Sequence, residues 1–356
     1  MIGFYRRMQA AIGRERKKNM KDIGYVLKRL LHMDYGAMVK KINSIHKKTG
    51  MSRMAIFRDM QKCAVNYGAG YMDYDLFEMY NLTDSQRDTY LTRGRNNALV
   101  KRYNDMTYGK YFTDKAEFNG RFGDYIHREW ILMQEDNRQA VLDFLGRHEI
   151  FIAKPLDGCC GRGVEKLKVA DHGGPEGCYE YLKGLGVQYE LEQLLVQHPA
   201  VSAVYPHAIN TVRTVTVNHN GQVHLICTYF RIGNGGKHVD NFNNGGMVAP
   251  VDEKTGIVKD RAIDKNKNLY AEHPMTGTAI KGFQFPDWDK AMALAMKAAT
   301  EVPQMGYIGW DVAFTPDGPC LVEGNDFPGH DIYQLPQHTP DKIGMMEKFS
   351  FLKEEK

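Results

Sequence analysis

Two carboxylates and one amide near the end of the chain are spaced as metal ligands would be. Asp311 lies in the apolar run 307–314, and Glu323 and Asn325 follow a Pro-Asp-Gly-Pro turn. Because this turn joins two strands, hairpin pairing brings Asp311 and Glu323 side by side. Asn325 stands two residues after Glu323, on the same strand face. Mg²⁺ prefers such oxygen ligands, so we call these three residues the metal triad. Two acids on an exposed hairpin face would give the same pattern in isolation.

A second group combines a lysine with a glycine-rich loop. The apolar run 150–153 predicts a strand that delivers Lys154 to a loop containing Gly158, Gly161 and Gly163. A lysine at a strand end can place its charge on a phosphate oxygen, and glycines let backbone N–H groups approach phosphates closely. The loop is neither a Walker A motif nor a dinucleotide fingerprint. Taken alone, a structural turn explains it equally well.

Together and in this order, the motifs resemble the ATP-grasp superfamily, and in particular its sugar-transfer-associated branch, which is related to the α-L-glutamate ligases. The resemblance covers roughly residues 110–340. It implies an α+β protein with the ATP-grasp fold, in which two α+β lobes grip Mg-ATP, preceded by a helical N-terminal region. The residues that carry it are Gln197-His-Pro199, Asn210-Thr-Val-Arg213-Thr, Gly309-Trp-Asp311 and Glu323-Gly-Asn325.

The resemblance also implies roles around the nucleotide. Lys115 would be the first nucleotide lysine and Lys154 the second, on the α-phosphate. The loop 157–163 would cover the β- and γ-phosphates, and the linker 191–194 would meet the adenine edge through its backbone. Gln193 departs from the family pattern, which has an acid there. The residues expected to bind the cofactor are Lys115, Lys154, Gly158, Gly161, Gly163, Glu192, Gln193 and Leu194.

For the reaction centre, the resemblance points to three residues. Arg213 would meet the γ-phosphate or an acyl-phosphate, and Arg231 and Asn244 would lie in the loop beside the γ-phosphate. A solvated cation or a turn residue explains Arg231 and Asn244 equally well. The expected cofactors are ATP and Mg²⁺, the metal being held by the metal triad.

The implied activity is that of an ADP-forming carboxylate–amine ligase. ATP would phosphorylate a carboxylate, and an amine would then displace phosphate from the acyl-phosphate. The expected substrates are a small-molecule carboxylate and amine, such as an amino acid or a sugar, in the modification of a surface-glycan precursor. Two alternatives stay open: an ATP-grasp kinase that phosphorylates a small-molecule or sugar hydroxyl, and a non-catalytic polyanion-binding protein.

Positive charge is concentrated at the N-terminus. Residues 1–53 contain 14 Lys and Arg and three acidic residues, a net charge of +11 against +4 for the whole chain, so the rest carries −7. Such an arm suits an anionic membrane surface or glycan carrier, although a solvated helical face has the same composition. No nucleic-acid partner is expected. With no signal-peptide pattern, no long apolar run and no Cys-x-x-Cys spacing, we expect a cytoplasmic protein that can lie at the inner membrane face.

The elements that position these residues fall into a helical part and an α+β body. Helical spacing of apolar residues predicts helices in the first part, one of them starting near Thr83. Strands are predicted at 150–153, 187–197, 211–218, 223–232 and 308–314, and later helices at 140–146 and 289–302. The predicted domains are a basic helical region 1–105, a nucleotide-binding lobe 106–190, a metal-binding lobe 191–340 and a charged tail 341–356.

Overall fold

The computed structural model describes residues 34–156, 163–236 and 240–353. Most of the basic segment, Gly158, Gly161 and the end of the charged tail lie outside these residues. Within them a helical part precedes two antiparallel sheets, so the predicted α+β class is confirmed. No helix of the described residues is long and apolar enough to cross a membrane.

The helical part is built from short helices with well-formed ends. Asp34 and Ser52 cap the first two helices by accepting backbone N–H groups, and Gly68 ends the second in a left-handed conformation. Thr83 and Gln86 form a capping box, which confirms the predicted helix start. The helices are α1 (Tyr35–Thr49), α2 (Arg53–Tyr67), α3 (Tyr71–Leu76), α4 (Asp84–Asp88) and α5 (Arg93–Tyr103).

A smaller, four-stranded sheet follows three short helices, α6 (Lys110–Thr113), α7 (Lys115–Arg121) and α8 (Gly123–Ile126). Its strand order is β1-β4-β2-β3. Phe151, Ala153 and Leu191 pack against two helices on one face, and Lys154 and its neighbours on alternate positions occupy the other. The elements are β1 (Trp130–Leu132), α9 (Arg138–Arg147), β2 (Ile150–Pro155), β3 (Glu165–Lys168), α10 (Pro175–Gly184) and β4 (Tyr189–Gln193).

The larger sheet has seven strands in the order β11-β10-β5-β6-β7-β8-β9. One face forms an apolar core with the helix Trp288–Ala298, and this core contains the fully buried Trp310. Part of the opposite face packs on Leu91 and Leu99, so the helical part covers that portion. The elements are α11 (Pro199–Val204), β5 (Val212–His219), β6 (Gln222–Ile232), β7 (Met247–Val251), β8 (Ala262–Asp264), β9 (Leu269–Tyr270), α12 (Trp288–Ala298), β10 (Tyr307–Thr315) and β11 (Gly318–Asn325).

Polar contacts fix the helical part to the segment that follows β11. The buried carboxylate of Asp73 accepts hydrogen bonds from the backbone N–H groups of Gly70 and Arg93, at 3.2 and 2.9 Å. It also lies 2.9 Å from Nε2 of His330, which is buried as well. Asn104 donates to the carbonyl oxygen of Asp326 at 2.7 Å. The chain beyond the metal triad is therefore held by the helical part.

We expect Asp73→Ala to destabilise the protein, because it leaves two backbone N–H groups and the buried His330 without their acceptor. The free energy of unfolding, measured by urea denaturation, should fall by about 2–4 kcal/mol. The matched control is Asp88→Ala, which removes an exposed ion pair with Arg95 and should cost no more than about 1 kcal/mol. Equal losses in the two variants would contradict the buried tether.

Candidate functional site

Asp311 is the centre of a charged cluster on the larger sheet. On β10 it lies opposite Arg213 of β5 on one side and Glu323 of β11 on the other. Arg213 donates from Nε and Nη2 to the two carboxylate oxygens, at 2.5 and 3.0 Å, and Arg231 donates from Nη1. Burial alone would raise the pKa of Asp311, which is only 2% exposed, but the two guanidinium groups hold it well below its usual range. Asp311 is therefore ionised.

Arg231 links this cluster to the connection between β6 and β7. Its Nη2 donates to Oδ1 of Asp240 at 2.9 Å and to Oδ1 of Asn241 at 2.5 Å. The other oxygen of Asp240 accepts from the backbone N–H and hydroxyl of Thr211. Asn244 ends a short 3₁₀ turn in the same connection, with an exposed side chain. The structure thus brings Arg213 and Arg231 together on Asp311 and places Asn244 on the adjoining segment.

The metal triad lies on one face of the β10–β11 hairpin, as its spacing indicates. Nδ2 of Asn325 is 3.4 Å from Oε1 of Glu323, and Glu323 lies directly across from Asp311. Loss of solvation and then the charge of Asp311 raise the pKa of Glu323. No cluster of three His, Cys, Asp or Glu side chains suited to a metal occurs in the described parts of the chain. A metal here would need the amide oxygen of Asn325, and such an all-oxygen set fits Mg²⁺.

A second charged cluster lies on the face of the smaller sheet opposite the two helices α9 and α10. Nζ of Lys154 lies 2.6 Å from Oε2 of Glu192, and Nε of Arg128 lies 2.9 Å from the same oxygen. Burial alone would raise the pKa of Glu192, but the charges of Arg128 and Lys154 outweigh it and hold the pKa well below its usual range. Glu192 was expected to act through its backbone. Its side chain, in addition, holds Lys154, which is expected to be the second nucleotide lysine.

Arg128 connects the two clusters. Its Nη1 donates to the carbonyl oxygen of Leu321 at 2.7 Å, and its Nη2 to that of Val322 at 3.2 Å and to Oε1 of Glu192 at 3.0 Å. Leu321 and Val322 precede Glu323 on β11. One buried guanidinium thus joins the strand of the metal triad to the carboxylate that holds Lys154. No local pattern around Arg128 indicates this role in the sequence.

Glu190 is a second acid that sequence reasoning missed. It is completely buried and lies across from Lys154 in the β2–β4 register. Nδ2 of Asn119 donates to Oε1 of Glu190 and to Oε1 of Glu192, both at 3.0 Å. Burial, and then the charge of Glu192, raise the pKa of Glu190 to about 8. The signal available in the sequence was the i, i+2 spacing of the two glutamates, which puts them on one strand face.

The remaining residues expected to bind the nucleotide include Lys115 and Gly163, which lie around the end of β2. Lys115 is the first residue of α7, and its Nζ donates to the carbonyl oxygen of Pro155 at 2.8 Å. Pro155 directly follows Lys154 in the chain. Gly163 has a positive φ of +74°, and a Cβ there would come within 2.9 Å of Cγ of Pro155, so a side chain would be strained and crowded. Gly158 and Gly161 lie outside the described residues.

The predicted adenine linker begins within a strand. β4 continues to Gln193, so the predicted boundary between residues 190 and 191 falls inside it. Oε1 of Gln193 accepts the backbone N–H of Glu129 at 3.0 Å, and Leu194 follows the strand. The Gln that replaces the family's acid therefore ties β4 to the start of β1.

The raised pKa of Glu190 predicts a pH-dependent stability. Between its unfolded pKa of about 4.3 and its folded value of about 8, the folded chain holds a proton that the unfolded chain has lost, so this group's contribution falls as pH rises. The limiting slope is about 1.4 kcal/mol per pH unit. Glu190→Gln removes the ionisable group. The melting temperature of this variant, relative to that of wild type, should therefore increase from pH 5 to pH 8 and stay constant above pH 8. A constant difference across this range would contradict the assignment.

Part of the chain is similar to known proteins. Residues 181–341 match the family described as sugar-transfer associated ATP-grasp. Curated proteins gave no significant match. Similar solved structures include N5-carboxyaminoimidazole ribonucleotide synthetase in complex with ADP (13% identity, TM-score 0.39), D-alanyl-alanine synthetase A from Vibrio cholerae O1 biovar eltor str. N16961 (13%, 0.39) and L-amino acid ligase from Bacillus licheniformis (11%, 0.38).

The alignments cover 62%, 67% and 63% of this chain and 46%, 62% and 43% of those three chains, so it spans about half the length of these structures. The family match contains Arg213, Arg231, Glu192 and the metal triad. The resemblance predicted from the sequence is thereby confirmed over residues 181–341. Residues 181–341 are therefore similar to the family described as sugar-transfer associated ATP-grasp.

Proposed function

We propose that this protein is an ADP-forming carboxylate–amine ligase that uses Mg-ATP and proceeds through an acyl-phosphate. The observation that carries the proposal is the Asp311 cluster. There two guanidinium groups and a carboxylate–carboxylate–amide triad share one face of the larger sheet. Such a face suits phosphoryl transfer, which depends on positioning and on charge neutralisation rather than on a protein nucleophile.

The chain's own residues would divide this work between the two sheets. Lys154, held by Glu192, would supply positive charge to the phosphates from the smaller sheet. Lys115 of α7, whose ammonium reaches the end of the same strand, would do the same. Arg213 and Arg231 supply it from the larger sheet, at the transferred phosphoryl group and the acyl-phosphate. Mg²⁺, held by the metal triad, would neutralise charge on the phosphate oxygens. Asp311 orients both arginines, because its two oxygens accept their N–H groups.

The substrates we propose are a small-molecule carboxylate and an amine, with an amino acid or a sugar on a surface-glycan precursor as the chemical class. The family description, which associates ATP-grasp proteins with sugar transfer, supports this choice. We place the protein in the cytoplasm, where ATP and such precursors occur together.

The test is product analysis with the full chain, Mg-ATP and pools of sugar acids, amino acids and amino sugars. A ligase releases ADP and inorganic phosphate and forms a condensed product that has lost one water. Lys154→Ala should lower the rate at least about 100-fold, since the phosphates lose a partly buried cation, and EDTA should abolish it. The matched control, Lys168→Ala, changes an exposed lysine of β3 and should keep the wild-type rate. Phosphate retained on the product would identify a kinase instead, and an active Lys154→Ala would contradict the site.

We also propose that the basic N-terminal segment docks an anionic lipid surface. Within its described part, Lys41 pairs with Asp75 and Lys48 with Glu78, so these charges are already partnered. The excess positive charge lies mainly in residues 1–33, outside the described residues. The idea therefore rests on that stretch.

The full chain should co-sediment with vesicles containing anionic lipid at low salt and be released at high salt, because exposed charges are screened within about 8–10 Å at physiological ionic strength. A chain beginning at residue 34 should stay in the supernatant under both conditions. Neutral vesicles are the control for charge. Equal, salt-independent behaviour of both chains would remove this proposal.

A further inference from the structure

One buried acid has no part in the proposed mechanism, although it adjoins the nucleotide lysine. Glu190 and Glu192 stand on alternate positions of β4, on the face that carries Lys154. We call these two glutamates the β4 acid pair. A carboxylate that is fully removed from solvent normally has several donors around it, because an unpaired buried charge is costly. The two members of the pair differ sharply in this respect.

Both nearby cations form ion pairs with Glu192 rather than with Glu190. Arg128 and Lys154 both lie within 3 Å of Glu192, and Asn119 adds a hydrogen bond. Glu190 accepts a hydrogen bond from the Asn119 amide on Oε1, and among the described residues no donor is found for its buried Oε2. Of the two acids, Glu190 is therefore the one that holds a proton more readily.

The charge balance then depends on that proton. The charged groups that face Glu190 are Lys154 on β2, Glu192 on its own strand and Arg128 beside β1; Asn119 on α7 is neutral. With Glu190 protonated, two cations face one carboxylate, so one positive charge is left over for a phosphate. With Glu190 ionised, two cations face two carboxylates and the cluster is neutral. The added charge also lies next to Lys154 in the strand register.

We propose that Glu190 is a positioning residue whose protonation controls whether Lys154 is available to a nucleotide phosphate. When Glu190 is neutral, Lys154 rests on Glu192 alone and can share its ammonium with a phosphate oxygen. When Glu190 is ionised, it draws the ammonium toward the sheet and repels the phosphates. The inference rests on the proposed nucleotide site and adds a regulation by pH to it.

The titration range makes this control measurable. Burial, and then the charge of Glu192, raise the pKa of Glu190 to about 8, against the opposing charges of Lys154 and Arg128. Between pH 7 and 9 an ordinary lysine remains protonated. A change in nucleotide affinity over this range therefore reports on Glu190 rather than on the lysine.

The experiment is isothermal titration calorimetry of the full chain with Mg-ATP from pH 6.5 to 9. Wild-type affinity should fall about three- to tenfold as pH rises through 8, because the cluster loses its spare positive charge. Glu190→Gln keeps the size of the side chain and cannot ionise. Its Mg-ATP affinity should stay constant from pH 6.5 to 9, near the value that wild type shows when Glu190 is protonated. The matched control, Glu180→Gln on the exposed side of α10, should keep it.

A second measurement needs no variant. Because binding favours the protonated form, Mg-ATP should cause net proton uptake by the wild-type chain near pH 8, seen as a dependence of the heat on the buffer's ionisation enthalpy. Binding without proton uptake would overturn this inference and leave the proposed function intact. So would a Glu190→Gln variant whose Mg-ATP affinity still decreases with pH as that of wild type does. A folded wild-type chain that binds no Mg-ATP at any pH would overturn the proposed function and this inference with it.

Discussion

The buried carboxylate of Asp311 is the constraint on which the larger sheet depends. An ion removed from water must be compensated by close opposite charge and hydrogen bonds, and here Arg213 and Arg231 provide both. These three residues come from β10, β5 and β6, so their pairing fixes which strands are adjacent on the polar face. Glu323 enters the same face from β11. The order of four strands and the charge of the site are thus set by one cluster.

In both sheets, alternate residues of a strand point to opposite faces, so apolar core residues lie on one face and charged site residues on the other. In the smaller sheet Phe151 and Leu191 face an apolar core, while Lys154, Glu190 and Glu192 face the other way. In the larger sheet the buried Trp310 precedes Asp311, so the core residue and the charged residue are sequence neighbours on opposite faces. A rigid core therefore lies directly behind every charged side chain of the site, which keeps the charges in place without a ligand.

The period of two also explains which parts of the site were predictable. The metal triad and Lys154 follow from local patterns of strand, turn and spacing, and the structure shows the expected hairpin and strand end. The partners of these residues do not follow from such patterns. Arg128 reaches carbonyl oxygens 193 and 194 positions later, and Arg231 reaches Asp311 80 positions later. Contacts of this range depend on the fold, so a single sequence gives no local sign of them.

The contacts of the helical part with the rest of the protein were also not predictable from the sequence. The basic segment 1–53 was expected to be an arm, yet its part in α1 forms ion pairs with the segments after it. Further along the helical part, Leu91 and Leu99 join the core of the larger sheet. Asn104 and Asp73 hold the segment after β11 across 222 and 257 positions. That segment follows the metal triad directly, so its shape depends on residues outside the region that resembles the ATP-grasp family. The motifs therefore describe the charges of the site, while the helical part helps to hold the backbone that carries them.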